Sequence, residues 1–136
     1  MGTWDVGPFD NDSAADWCGG LHDAAPDKRQ LMIREALTVV AGSKDYLDSD
    51  VACDAIAAAA IIAAQRTRTA ITSSYAPDFL LEGGSVSVDD DVAALAIAAL
   101  DRIVADESEW RDLWEESESF AAALEVIAEL RADLED

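Results

Sequence analysis

At 136 residues the chain is long enough for one domain with a real core, and its 51 % hydrophobic content excludes disorder driven by charge. The formal charge of −20 excludes direct binding to nucleic acid or anionic membranes, which need a positive face, and favours a basic partner. Cys18 and Cys53 are too few for a disulfide framework and read as small buried thiols in a reducing compartment.

Met1 to Asp5 lacks the basic and apolar regions of a secretory signal, so a cytoplasmic location is expected. Residues 1–12 form an N-terminal arm with a forced turn at Gly7-Pro8. Trp4 and Phe9 are too large to leave in water and are expected to pack back onto the rest of the chain. Asp12 or Ser13 is read as the cap of a first helix ending near Ala24, with Asp16 completing a capping box and Gly19-Gly20 a weak point. Pro26 opens a second helix that Gly42 closes, with Met32, Ile33, Ala36, Leu37, Val39 and Val40 as its apolar stripe. Tyr46 and Leu47, in the loop that follows, are expected to anchor to the core.

The stretch Val51 to Ala64 organises the rest. Alanine is the best helix former, and Asp54 is the only charge in the stretch. A helix apolar all round must be buried on most sides, yet these residues rise only about 21 Å, too short for a bilayer core. Ser49 or Asp50 is read as its cap, and the helix as ending near Arg68. Asp54 is the one carboxylate placed to be buried with a raised pKa. Its position near the helix start favours stabilisation by the dipole instead.

Thr69 to Ser87 is the least regular part, with one helical turn expected over Pro77 to Leu81 and Val86 to Val88 extended. Asp89-Asp90-Asp91 opens a fourth helix, Val92 to Ala105, where acids complement the dipole rather than cluster round a metal. A fifth, Ser108 to Ser117, carries Trp110, Leu113 and Trp114 on one side and Glu109, Asp112, Glu115 and Glu116 on the other. Phe120 to Leu134 is the last, with Phe120, Leu124, Ile127, Leu130 and Leu134 facing inward. The expected fold is all-α, a compact single-domain bundle of five to six helices over 1–136 around a buried Ala/Ile-rich helix at about 50–68.

For chemistry, the densest polar cluster is Asp10-Asn11-Asp12 with Asp16, a weak candidate for a divalent metal or small ligand. It fails as a calcium loop at Ala14 and lacks the glycine and the distal glutamate; the alternative is a capping turn. Cys18 and His22, one helical turn apart, fall short of the four ligands of a structural zinc and of an oriented catalytic pair. No phosphate-binding glycine loop, nucleophile elbow or zinc-protease motif occurs, so neither cofactor nor catalytic residue is expected. The seven acids from Asp106 to Glu118 are either a solvated face or a surface for a basic partner, or a mimic of DNA phosphates. An exposed Trp110 or Trp114 would mark a contact site there.

Met1-Gly-Thr-Trp4, Gly7-Pro-Phe9-Asp-Asn-Asp12 and Ala15-Asp16-Trp17, with Leu100-Asp101-Arg102 and Leu113-Trp114-Glu115-Glu116-Ser117, resemble the signatures of a bacterial domain-of-unknown-function family, number 4259. The resemblance spans nearly the whole chain. It departs near Ala60, where that family usually has a glutamate, and at Asp5, where a glycine is common. It implies a compact cytoplasmic domain, structural roles for Trp4, Gly7, Phe9, Asp10, Asn11, Asp12 and Trp17, and no catalytic residue. The expected function is a non-catalytic protein-protein interaction module, immunity- or antitoxin-like in its most specific form. Glu109, Trp110, Asp112, Trp114, Glu115 and Glu116 are the candidate contact residues. Ligand or metal binding at Asp10-Asn11-Asp12 is the second reading and DNA mimicry the third.

Overall fold

The computed structural model describes residues 7–69, 71, 76, 77, 80, 86 and 90–135. Within them the chain folds into six helices: α1 (Asp12–Asp23), α2 (Pro26–Ala41), α3 (Ser49–Thr67), α4 (Asp90–Ile103), α5 (Glu109–Glu115) and α6 (Phe120–Glu135). The architecture is all-α; among the described residues the only β pairing is an isolated bridge between Leu47 and Ser108.

The central helix, α3, touches all five of the others. Its residues 55–63 are buried without interruption, as an apolar surface with no polar stripe requires. Alanine makes this possible, because a methyl group lets neighbouring backbones approach from every side. Leu21 of α1, Ile33 and Leu37 of α2, Leu100 of α4 and Leu134 of α6 surround it, all at most 2 % exposed. Burying each such side chain contributes about 1.5–3 kcal/mol. Among the described residues no helix is long and apolar enough to cross a membrane.

Two helix caps differ in detail from the expectation. Asn11, not Asp12 or Ser13, caps α1: its backbone is extended and its side chain accepts from Ala14 N at 2.8 Å. Ser13 therefore makes no capping box with Asp16. Asp48 caps α3, accepting from Asp50 N at 2.8 Å, while Glu109 Oε1 reaches over from α5 to take Ser49 N at 2.9 Å. The α1 helix runs unbroken through Gly19-Gly20, because Ala14, Cys18 and Leu21 hold it to the core. Tertiary burial there outweighs the roughly 1 kcal/mol that each glycine costs.

Two loops are joined at the far end. Leu47 N donates to Glu107 O and Glu109 N to Leu47 O, both at 2.8 Å. The Arg102 guanidinium donates to four backbone carbonyls around this join, those of Ser43, Asp45, Asp106 and Glu107. Leu47 is buried, as expected, but Tyr46 is 53 % exposed and donates its hydroxyl to Asp112 at 2.7 Å. Gln65 of α3 brackets Val86 through both its amide atoms at 2.7 Å. Most of the turn expected at Pro77 to Leu81, and Ser87-Val88 of the extended stretch, lie outside the described residues, as does Trp4.

Candidate functional site

Helical spacing assembles a cleft from three elements. On α1, Ser13 and Trp17 stand one turn apart; on α2, Met32, Glu35, Ala36 and Val39 share a face; on α3, Val51 and Asp54 do so. These faces meet in an open cleft of about 280 Å³, lined by Trp17 from α1, the four α2 residues, Val51 and Asp54. On α2 the row Leu31, Glu35, Val39 continues the wall outward, with Leu31 57 % and Val39 54 % exposed. The lining holds two carboxylates and, among the described residues, no cation.

Asp54 is the polar centre of this cleft. The Ser13 hydroxyl donates to its Oδ1 at 2.8 Å and is also 3.0 Å from Asp50 O. Burial pushes the Asp54 carboxyl up to about 6, against the pull of the Ser13 hydrogen bond; the charges of Asp50, Asp16 and Asp48 push it further. The dipole account expected for this residue is therefore corrected. Asp54 is the sixth residue of α3, beyond the first turn over which dipole stabilisation acts, and half-buried among acids.

Asp54 also faces both thiols. Cys18 and Cys53 are each pushed up to about 12, first by burial and then by the Asp54 charge. Both thiols are therefore held in the protonated form at neutral pH, which disfavours nucleophilic attack by either. His22, one turn from Cys18, accepts at its carbonyl from Arg29 Nη2.

The Asp10-Asn11-Asp12 turn has local duties. Asn11 is buried as the α1 cap, Asp12 and Asp16 point to solvent, and the Asp10 carboxylate lies over Gly7, in the space where a Cβ would sit. Among the described residues no group of three or more His, Cys, Asp or Glu is arranged to hold a metal ion.

The acidic α5 face is also largely engaged. Trp110 is 5 % exposed and packs against the half-buried Trp114 with ring centroids 6.2 Å apart. Glu109 caps α3, Asp112 takes the Tyr46 hydroxyl, and Glu115 pairs with Arg111 at 2.7 Å. Glu116, the C-cap residue, is exposed. At the start of α4 both Asp91 oxygens accept from Arg34, which lowers the Asp91 carboxyl below its usual range.

A family model described as Domain of unknown function (DUF4259) matches residues 2–126. The chain belongs to that family. No curated protein and no solved structure matches it. In this DUF4259 chain the signature residues divide by task. Phe9 fills the core, Asn11 caps α1, Arg102 clamps two loops, and Trp17 opens onto the cleft. Sequence reasoning singled out Asp54 and Trp17 but not Glu35 and Leu31, and it placed Val39 in the apolar stripe of α2, where the residue is instead 54 % exposed. The available signal was the i, i+4, i+8 row that leaves two large apolar side chains on the polar side of α2.

Proposed function

We propose that this protein is a non-catalytic interaction module that docks a basic protein partner on the α1–α2–α3 cleft. The cleft itself carries this reading: an apolar wall, with Leu31 and Val39 in solvent, stands beside Glu35 and Asp54 with no cation in the lining. A partner segment bringing apolar and cationic side chains together complements both features. The charge of −20 steers such a partner from a distance. Five of the arginines have partners within the protein: Arg29 and Arg102 donate to backbone carbonyls, and Arg34, Arg111 and Arg131 pair with Asp91, Glu115 and Asp101. An immunity- or antitoxin-like role against a basic toxin is the most specific form of the proposal.

The α5 surface carries it less well, since Trp110 is buried and three of the four acids have intramolecular duties. The test is co-purification with the tagged full chain, with Val39→Lys and Glu116→Lys in parallel, at low and high salt. The co-purified protein is then purified and its binding remeasured. A stoichiometric basic protein, released by salt and by Val39→Lys but not by Glu116→Lys, is the expected result. Loss with Glu116→Lys alone would return the surface to α5, and an acidic partner would end the proposal.

A further inference from the structure

Resting on this docking reading, we propose that the cleft is a socket for one lysine side chain of the partner, its stem against α2 and its ammonium held between Trp17 and Asp54. The walls suit such a guest. Met32, Ala36, Val39 and Val51 offer apolar surface to a run of methylenes, and Trp17 offers an aromatic ring to a cation. The volume, about 280 Å³, lies just under the range of about 300–1,000 Å³ that drug-sized ligands occupy, and so fits a single side chain better than a cofactor.

Asp54 has no counter-charge among the described residues. Among the described residues Ser13 is its only hydrogen-bond partner, and no cation pairs with it. The charged and titratable groups around it are Asp16 and the neutral Cys18 on α1, Glu35 on α2, and Asp48, Asp50 and the neutral Cys53 on or beside its own helix. A half-buried carboxylate among acids is costly unless something positive completes it. The choice of lysine over arginine follows from Ser13. A guanidinium fork would have to share Oδ1 with the Ser13 hydroxyl, whereas a compact ammonium needs Oδ2 alone.

The test uses the full chain and blocked pentapeptides with a central lysine, Nε-acetyl-lysine or arginine, followed by NMR at the Trp17 indole and the Met32 methyl. The lysine peptide is expected to shift both signals saturably. Acetylation, or Asp54→Asn, should weaken binding at least 10-fold, and arginine several-fold. Affinity should fall as pH drops below about 6, where the Asp54 carboxyl takes a proton, and Asp54→Asn should abolish that dependence. Val39→Lys, at an exposed position, should compete by placing its own ammonium at the cleft. Equal binding of the acetylated peptide, indifference to Asp54→Asn, shifts elsewhere or no saturable shift would each overturn the socket. The two proposals fail separately. A basic partner still lost on Val39→Lys, with no peptide binding, leaves docking in place without the socket; the converse leaves the socket without the partner.

Discussion

Ser13 on α1 donates its hydroxyl to Asp54 on α3 at 2.8 Å, joining the second residue of one helix to the sixth of another. The bond keeps part of the negative charge tolerable at a half-buried position, yet burial still dominates and holds the carboxyl near 6. An acid whose folded pKa exceeds its unfolded value favours the fold only while protonated. Its contribution is complete below the unfolded value, 3.8, and is lost as pH rises through the window up to about 6.

Asp54→Asn should therefore stabilise the protein at pH 7.5 by about 1 kcal/mol, a shift of one unit being worth about 1.4 kcal/mol before solvent screening is discounted. The gain should fade as pH falls from about 6 through 3.8, below which the wild-type carboxyl is mostly neutral in both states. Urea unfolding of both proteins across that range checks it. A variant destabilised at pH 7.5 would mean that the ionised carboxylate has a favourable partner.

Arg102→Lys should loosen the join between the loop before α3 and the loop before α5. A guanidinium spans the carbonyls of Ser43, Asp45, Asp106 and Glu107 at 2.8–3.1 Å, and a lysine cannot reach all four. The clamp also holds Glu107 at φ 62, a left-handed conformation that a non-glycine residue adopts only under constraint. A loss of about 2 kcal/mol is expected, in line with hydrogen bonds from a charged donor. Faster hydrogen exchange at the Leu47 and Glu109 amides, with α2 amides unchanged, would localise it.

Why α3 was legible and the cleft was not comes down to the range of the deciding contacts. A run of alanine and isoleucine with one acid has no polar face in any arrangement, so burial follows from composition alone. Caps are harder. Asn11-Asp12-Ser13 and Asp48-Ser49-Asp50 each offer three competent cap residues in a row, and distant partners decide among them. Ser13 is drawn to Asp54, and Ser49 N to Glu109. On α5 the periodicity groups Trp110, Leu113 and Trp114 correctly on one side. In a seven-residue helix that side is too narrow to bury all three, and Leu113 stays 43 % exposed. The cleft depends on how three helices cross, which no local pattern encodes.

Asn11→Ala and Asp12→Ala should separate the two neighbouring cap candidates. Asn11 Oδ1 satisfies Ala14 N inside the protein, so its loss leaves a buried donor unmet and should cost about 1 kcal/mol. Asp12 is exposed in the first turn and interacts only with the dipole, worth about 0.3–1 kcal/mol at low salt and less at high salt. Thermal melts at two ionic strengths distinguish them: a salt-independent loss for Asn11 and a salt-sensitive one for Asp12. Equal, salt-sensitive losses would restore Asp12 as the cap.

Trp110→Ala is the sharpest test of whether α5 belongs to the core or to an interface. The indole is 5 % exposed, packs on Trp114, and lines a small pocket with Ile56 of α3 and Ile127 of α6. Truncating a buried tryptophan removes contacts on three helices at once and should cost about 3–5 kcal/mol, a large share of a small domain's stability. Glu116→Lys, at the exposed end of the same helix, should change stability by less than about 0.5 kcal/mol. Guanidinium unfolding read by far-ultraviolet circular dichroism reports both without relying on the deleted fluorophore. If Trp110→Ala unfolded at the wild-type midpoint but lost a binding partner, the ring would be serving an interface. The expected order, a large stability loss at residue 110 and almost none at 116, places the energy of α5 on its inner side and leaves its acids to caps, ion pairs and solvent.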